Sequence, residues 1–310
     1  MKIKSLIREP EDFLVHELVD KKAVKRFSRT AKGVSEAGKY TLYLMKKRNM
    51  TTHDAIKKVA SELNITADSI GYAGLKDKHA ITTQYITLQK DIQWLKDGEL
   101  ELFRVGKTDR KISIGDLLGN YFVITLHDWN KDVDDAVKKI EKNGFPNYFG
   151  EQRFGAHGDN HIVGKLIVKR KFSEALGMIN RDKRKFSNIR AVDKRKLKFF
   201  VNAYQSWIFN QTAKRLLKKG KAGKIPIVGY DTKLGKSQAD KMTADILREE
   251  KTRGKDFRIG ELRLACRGSS REMLVRTEVK YTKNGDFRLY FVLPKGSYAT
   301  VLLEFILAAS

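Results

Sequence analysis

The C-terminal segment carries the pattern that most constrains the fold of this chain. Strand-forming residues alternate with polar ones from residue 273 to 281, and the alternation resumes from residue 287 to 293. The dipeptide Asn284-Gly285 lies between the two runs and suits the type I′ turn of a β-hairpin. The mostly apolar residues 298–307 then predict a buried helix. The chain is therefore predicted to end inside a folded domain.

The preceding residues alternate between strand-like and helix-like segments, which predicts a mixed α/β class. β-Branched and aromatic residues predict strands at 40–45 and 121–126. Because the C-terminal hairpin and helix complete a domain, the basic segment 166–266 is predicted to be an insertion or a second lobe.

Three helices are predicted from the 3.6-residue periodicity and from helix-ending residues. Within 52–63 the apolar side chains share one face, and Thr51 with Asp54 resembles a capping box. The other two helices are predicted at 132–143, before Gly144 and Pro146, and at 202–219, before Gly220.

Charge is the strongest global feature of the sequence. Lys and Arg number 63 against 37 Asp and Glu, a formal net charge of +26. Residues 163–200 alone hold 13 Lys and Arg against 3 Asp and Glu. A polyanionic partner, most commonly nucleic acid, explains such clustering. A lysine-rich coding bias is the alternative, and membrane-surface binding is disfavoured because the segment contains no basic amphipathic helix with a broad apolar face.

Cysteine usage and the termini indicate a cytoplasmic protein. The single cysteine, Cys266, excludes an internal disulfide and a cysteine-based zinc cluster and fits a reducing compartment. Residues 1–10 lack the apolar run of a secretory signal. The apolar run 301–307 is too short to span a membrane.

The segment 71–84, Gly-Tyr-Ala-Gly-Leu-Lys-Asp-Lys-His-Ala-Ile-Thr-Thr-Gln, is the first candidate functional motif. It is predicted to form a loop between a helix and a strand at 84–89. Asp77 lies between Lys76 and Lys78, and cationic neighbours favour an ionised carboxylate. An ionised Asp on such a turn can act as a nucleophile. A solvated Lys-Asp-Lys surface turn is the alternative.

Aromatic residues dominate two further motifs. Residues 147–155 combine adjacent aromatics, an amide and Arg153, which are the groups needed to hold a flipped base. An aromatic core corner with a structural Arg is the alternative. In the helix-like residues 202–210, Tyr204 and Ile208 share a face and favour core packing, whereas Gln205 and Asn210 could reach a ligand.

Metal and cofactor motifs are absent from the sequence. His157 and His161 have the spacing of a zinc helix, but Gly158 stands where a metalloprotease has its Glu, and no third ligand is evident. Residues 220–225 lack the spacing of a P-loop, and neither a dinucleotide fingerprint nor a nucleophile elbow is found. Any chemistry is therefore predicted to use side chains alone, with no cofactor and no metal.

Five segments together resemble the TruD family of tRNA pseudouridine synthases, in the order in which that family has them. The strings Ala-Gly-Leu-Lys-Asp-Lys and Asn-Tyr-Phe-Gly-Glu-Gln-Arg-Phe-Gly are the most specific. The resemblance spans essentially the whole chain, and its segments are 12–17, 71–84, 147–155, 203–210 and 293–300.

The resemblance implies an isomerase that converts uridine to pseudouridine in tRNA, typically at position 13, with Asp77 as the nucleophile. It implies a catalytic lobe with a mixed, mostly antiparallel sheet and an inserted α/β domain that forms an RNA-binding cleft. The implied boundaries are 1–165 and 267–310 for the catalytic domain and 166–266 for the insertion.

The resemblance also suggests roles for individual residues. Lys76 is expected to be the charge partner of Asp77, Phe149 to stack on the base, and Asn147 and Glu17 to support the site. A monomer that binds tRNA without a protein partner is expected. The expected RNA contacts are Lys78, Arg153, Lys183, Arg184, Lys185, Lys194, Arg195, Lys196 and Arg271.

Two departures from the family and two competing functions accompany the resemblance. The insertion is short for the family, and Ser270-Arg271 stands where paired arginines are expected. A non-catalytic basic RNA-binding or chaperone protein is the main alternative function. A cofactor-dependent RNA-modifying enzyme is disfavoured by the missing cofactor motifs.

Overall fold

The structure, a computed structural model, describes residues 3–19, 36–129, 132–181, 185–283 and 285–309. The chain divides into two compact units. Unit 1 comprises Met1–Gly144, Arg276–Ala299 and Leu303–Ser310, and unit 2 comprises Phe145–Val275 and Thr300–Leu302. Unit 2 is wider than the predicted insertion 166–266, whose boundaries as a functional domain stay a prediction.

The described residues form fifteen strands and seven α-helices. The helices are α1 Thr52–Glu62, α2 Asp134–Asn143, α3 Asn160–Val168, α4 Phe172–Asn180, α5 Lys194–Lys218, α6 Gln238–Glu249 and α7 Ala299–Ala309. The strands are β1 Phe13–Leu18, β2 Tyr40–Arg48, β3 Gly71–Tyr72, β4 Ile81–Leu88, β5 Trp94–Asp97, β6 Leu100–Thr108, β7 Gly119–Leu126, β8 Phe145–Pro146, β9 Lys224–Ile227, β10 Arg258–Ile259, β11 Leu264–Ala265, β12 Ser269–Glu272, β13 Leu274–Val275, β14 Val279–Thr282 and β15 Phe287–Pro294. None of these helices combines the length and apolar character needed to cross a membrane.

Unit 1 is built on a nine-stranded sheet among the described residues. Its order is β14-β15-β7-β1-β4-β2-β6-β5, and β3 adds to β4. Only β1 and β4 run parallel, whereas the other pairs are antiparallel. This confirms the predicted mixed α/β class and its mostly antiparallel sheet. β1 lies next to both β4 and β7, so residues of three strands meet at its C-terminal end.

The predicted C-terminal hairpin is present, but its first strand is shorter than predicted. β14 and β15 pair with Val279 opposite Phe291, and Gly285 in the turn has a φ of 82°. Asn284 lies outside the described residues. Leu274 and Val275 leave the hairpin and pair with β8 in unit 2. The alternation from 273 to 281 therefore belongs to two separate strands.

Helix α1 matches its prediction because its N-terminus and its buried face are both local features. The Thr51 side chain caps the helix by accepting the Asp54 N–H at 3.1 Å. Ile56 and Val59 are buried against Tyr43 and neighbouring residues of the sheet. Fully burying such a side chain contributes about 1.5–3 kcal/mol, so the packed face fixes α1 and the loop that it adjoins.

Unit 2 centres on α5, which begins at Lys194 rather than at the predicted Asn202. The Asp193 carboxylate accepts the N–H groups of Arg195 at 2.7 Å and Lys196 at 3.3 Å, which starts the helix earlier. Helix α3 approaches α5 closely at Gly164, where a Cβ would lie 2.0 Å from the Phe200 carbonyl oxygen. Helix α2 begins at Asp134, slightly later than predicted.

Candidate functional site

The loop that carries Asp77 joins β3 to β4 in unit 1 and is held by buried hydrogen bonds. Thr52, at the start of α1, accepts the Lys76 backbone N–H at 2.9 Å and donates to the Gln84 side-chain oxygen at 3.0 Å. Gln84 in turn donates to the Gly74 carbonyl at 3.2 Å. Thr52 and Gln84 are fully buried. The backbone on the N-terminal side of Asp77 is therefore fixed to a helix and a strand.

Lys76 points into unit 1, and its side chain is 4% exposed. Its ammonium lies 2.7 Å from the Glu17 carboxylate and donates to the Asn120 side-chain oxygen at 2.6 Å. Glu17 and Asn120 are cross-strand neighbours on β1 and β7, so the sheet register creates this binding position for the ammonium. The Tyr85 N–H also donates to Glu17 at 3.3 Å.

The burial of Glu17 has an electrostatic cost that its partner reduces. Burial raises the pKa of the Glu17 carboxyl, while the Lys76 ammonium acts in the opposite direction through charge and hydrogen bonding. Removing one member of such a buried pair leaves an uncompensated charge, which is strongly destabilising. The predicted support residue Glu17 is thus brought together with the predicted charge partner Lys76.

Lys47 is a second buried lysine at this loop and is not among the predicted site residues. It lies on β2 with no exposed surface and donates to the backbone carbonyls of Asp77, at 2.8 Å, and of Met50. Burial lowers the pKa of Lys47 to about 8, the charge of Asp77 raises it, and the charge of Lys76 lowers it further. The signal was present in the sequence, because Tyr43 and Met45 set the inward face of β2 and Lys47 continues it.

Asp77 is half-buried on this supported turn, whereas Lys78 and His79 are exposed. The backbone carbonyl of Asp77 accepts a hydrogen bond from the Lys47 ammonium, and this ammonium also attracts the negative charge of the Asp77 carboxylate. The loop is thus fixed from inside the unit by two buried lysines, Lys47 from β2 and Lys76 from the loop itself. The arrangement can present one carboxylate at the surface of the sheet in a fixed position.

Phe149 in unit 2 is held at its backbone by one side chain. The Asn210 amide accepts the Phe149 N–H at 2.9 Å and donates to the Phe149 carbonyl at 3.0 Å. Asn210 thus positions Phe149 from α5. Tyr204 and Ile208 are buried, as predicted for core packing, and Gln205 is 4% exposed and donates to the Val228 carbonyl. The Gln205 side chain therefore bonds within unit 2.

The ring of Phe149 lies among cationic and aromatic side chains of unit 2. The Arg271 guanidinium is 4.3 Å from its centroid and the Arg153 guanidinium 5.4 Å. Phe209 meets it edge-on, with 5.4 Å between the ring centroids. Cation–π contacts of this kind orient the ring and bring positive charge to it.

Asn147 and Arg271 form one polar unit beside Phe149. Arg271 donates to the backbone carbonyl of Asn147 at 2.9 Å and to its side-chain oxygen at 2.6 Å. Asn147 is 6% exposed and donates to the Glu272 carbonyl at 2.9 Å. Arg271, predicted to contact phosphate, is half-buried with these internal partners, and its RNA contact stays a prediction.

The remaining predicted RNA contacts lie in unit 2 at different depths. Lys185, Lys194 and Arg195 are exposed, whereas Lys196 and Arg153 are half-buried. Lys183 and Arg184 lie outside the described residues.

The described residues contain no group of three or more His, Cys, Asp and Glu side chains that could hold a metal ion. His161, considered above for its spacing from His157, stacks on Trp207 with 5.7 Å between the ring centroids. Burial lowers the pKa of His161. Its contacts are therefore those of a packed aromatic side chain.

Comparison with known proteins identifies a family and relatives that match most of this sequence. A family model described as tRNA pseudouridine synthase D (TruD) matches residues 2–186 and 211–305. A Pyrococcus furiosus protein named "Probable tRNA pseudouridine synthase D" is 29% identical, with 96% of this chain and 94% of the relative covered. A Methanocaldococcus jannaschii protein named "Probable tRNA pseudouridine synthase D 1" is also 29% identical, with the same shares covered.

The length of the alignment and a solved structure add two further observations. The alignment to the Pyrococcus furiosus protein runs over 394 positions, against 310 residues in this chain, so that relative has residues without a counterpart here. A TruD crystal structure from Methanosarcina mazei superposes with a TM-score of 0.68 at 24% identity, covering 97% of this chain and 93% of that one. That likeness establishes the shared fold. Since the family model covers most of the sequence, the chain belongs to the TruD family.

Proposed function

We propose that this protein isomerises uridine to pseudouridine in tRNA, with uridine 13 as the target and Asp77 as the nucleophile. The observation that carries the proposal is the Asp77 loop, fixed from inside by Lys47, Thr52 and the Lys76–Glu17 pair in a chain of the TruD family. The reaction breaks the bond between the ribose C1′ and N1 of uracil and forms a bond from C1′ to C5. The proton on C5 is lost to solvent and N1 gains one, so atoms and electrons balance.

Asp77 supplies the nucleophile because a carboxylate can attack either the base or the sugar and leave again in a later step. Lys47 and Lys76 are positioning residues in this proposal. Lys76 is bound by Glu17 and Asn120, and Lys47 binds the Asp77 carbonyl, so the carboxylate starts from one defined backbone position. Such preorganisation lowers the barrier by avoiding the cost of ordering the nucleophile.

The aromatic and cationic residues of unit 2 are proposed to hold the RNA. Phe149 provides a face for the flipped uracil, and Asn147 with Arg271 fixes the backbone next to that ring. Stacking contributes about 1–3 kcal/mol per base, which offsets much of the cost of unstacking. The proposed phosphate contacts are Lys78 of unit 1 and, in unit 2, Arg153, Lys185, Lys194, Arg195, Lys196 and Arg271, together with Lys183 and Arg184.

Release of tritium from tRNA that contains 5-tritiated uridine tests the proposed activity, since the C5 proton is lost in the reaction. The purified chain alone, acting as a monomer without added cofactor, is expected to release it. The same assay separates the alternative function, because a non-catalytic RNA-binding protein would bind the tRNA and release none. Mapping pseudouridine in cytoplasmic tRNA with and without the protein then gives the position.

A further inference from the structure

A cavity of about 400 Å³ lies within unit 2 directly after the 147–155 motif. The loop leading into α3, the end of α4 and the first turns of α5 enclose it. Its lining combines aromatic, cationic and amide side chains, among them His157, Asn160, Arg181, Lys196, Phe199 and Phe200. Small-molecule pockets have volumes of roughly 300–1,000 Å³, so the space suits one small polar ligand.

Phe199 gives the cavity an exposed aromatic face. The side chain is on α5, and the residue is 39% exposed, although Phe200 beside it is buried. The Arg153 guanidinium lies 5.7 Å from the Phe199 ring centroid and 5.4 Å from that of Phe149. The Arg153 Nε atom is buried and has no hydrogen-bond partner among the described residues. One arginine thus joins the two aromatic rings and keeps a donor unused.

The charged side chains that line the cavity favour an anionic ligand, although one carboxylate, that of Asp159, is among them. Lys196 and His157 are basic, and the Lys196 ammonium lies 5.9 Å from the Phe200 ring centroid. Arg181 is paired with the Asp159 carboxylate at 2.8 Å, so these two charges offset each other and Lys196 supplies the net positive charge of the lining. The Asn160 side chain, which donates to the Arg153 carbonyl at 3.5 Å, supplies further polar atoms. An aromatic face next to a cationic rim matches a base joined to a phosphate.

We propose that this cavity binds one unpaired nucleotide of the tRNA, distinct from the target uridine, with its base on Phe199 and its phosphate on Lys196. The inference rests on the proposed function, which supplies tRNA as the ligand. The nucleotide must be unpaired, because only a base splayed out of its helix can stack on a protein side chain. The cavity therefore adds a second point of recognition, which selects RNAs that extrude a base besides the target uridine.

The test compares tRNA dissociation constants for Phe199→Ala and a matched control. Phe103→Ala removes the same side chain at the same exposure, 40%, from β6 in unit 1. Phe199→Ala is expected to weaken binding about 10-fold, which lies within the range for loss of one stacking aromatic, while Phe103→Ala changes it by less than twofold. Phe199→Trp is expected to restore tight binding. Wild-type affinity for Phe199→Ala would overturn the proposal.

Two further measurements keep the result independent of folding effects. Lys196→Met is expected to reduce the slope of binding against salt by about one ion, whereas Phe199→Ala leaves the slope unchanged. In the wild-type protein, tRNA substituted with 4-thiouridine is expected to cross-link to His157 or Phe199 from a position other than the modified one. Cross-links confined to other parts of the chain would also overturn the proposal.

The outcomes distinguish this proposal from the proposed function. If the wild type releases tritium and Phe199→Ala binds tRNA like the wild type, the proposed isomerase activity is supported and the proposed nucleotide site in the cavity is overturned. Cross-linking in the cavity and weaker binding by Phe199→Ala, without any tritium release, would leave an RNA site on a protein that is not the proposed enzyme.

Discussion

Substituting Lys47 by Met tests whether the buried ammonium positions the Asp77 loop. In the folded chain the pKa of Lys47 falls from 10.5 to about 8 because burial disfavours the charge. At roughly 1.36 kcal/mol per pKa unit, the charged form costs the fold about 3 kcal/mol at neutral pH. Met removes this cost but leaves the carbonyls of Asp77 and Met50 without their donor, at about 1–3 kcal/mol each.

The two effects oppose each other at pH 7, so Lys47→Met is expected to change the free energy of unfolding by no more than about 3 kcal/mol. Turnover is expected to fall about 100-fold, as when a small displacement misplaces a reacting group. A loss of activity without a comparable loss of stability is the signature of a positioning residue.

The pH dependence of stability gives a sharper result than its value at one pH. Because the folded pKa of Lys47 lies below the unfolded one, the unfolded chain binds more protons between about pH 8 and 10.5. The wild type therefore gains stability relative to Lys47→Met as pH rises, by about 2 kcal/mol between pH 8 and 10. Urea unfolding of both proteins across this range measures the difference. A difference that stays flat or falls with pH would refute the reasoning.

Three further predictions follow from contacts elsewhere in the chain. Hydrogen bonds to the Asp12 and Asp286 carboxylates raise the pKa of His127 in the folded protein. The stability that these bonds contribute is therefore complete below pH 6.5 and is lost as pH rises through the folded pKa. His127→Gln is therefore expected to destabilise the protein most at pH 5.5–6.5 and least at pH 9 in thermal melts, and a deficit that grows with pH would contradict this. Asn210→Ala is expected to lower turnover at saturating tRNA, because it frees the Phe149 backbone, whereas Asn180→Ala removes the same pair of bonds from Phe186 and should lower stability alone. Equal turnover in the Asn210→Ala and Asn180→Ala variants would contradict the proposal that Asn210 positions Phe149. Charge reversal in the basic segment is expected to weaken tRNA binding and to reduce its dependence on salt in filter-binding titrations. An unchanged salt slope would show that this segment does not contact the RNA. The residues to reverse are Lys183, Arg184, Lys185, Lys194, Arg195 and Lys196.

Features encoded by neighbouring residues could be predicted from the sequence. Helix α1 follows from its cap and its apolar face, and the β14–β15 pairing follows from alternation on both sides of Gly285. Helix α5 starts earlier than predicted because the Asp193 carboxylate caps the basic residues that follow it. The continuous alternation from 273 to 281 gives no sign that Leu274 and Val275 pair with β8 and not with β15, because β8 is remote in sequence.

The functional groups could be predicted as residues but not as contacts. The strings around Asp77 and Phe149 were recognisable, yet the Lys76 partner depends on which residues of β1 and β7 face each other. Lys47 escaped prediction because a lysine near a strand end is expected to be exposed. The alternation of β2 places Lys47 on the inward face, but its full burial depends on the return of the Asp77 loop, 30 residues away in sequence, over β2.

The most direct test of the central claim is tritium release by Asp77→Asn from tRNA that contains 5-tritiated uridine. The substitution removes the nucleophile and one negative charge but keeps the shape of the side chain. Asp68→Asn makes the same chemical change at an exposed position of unit 1 and serves as the control. The account predicts no release by Asp77→Asn, wild-type release by Asp68→Asn, and tRNA dissociation constants within a few-fold of wild type for both. Release by Asp77→Asn at the wild-type rate would contradict the assignment of Asp77 as the nucleophile.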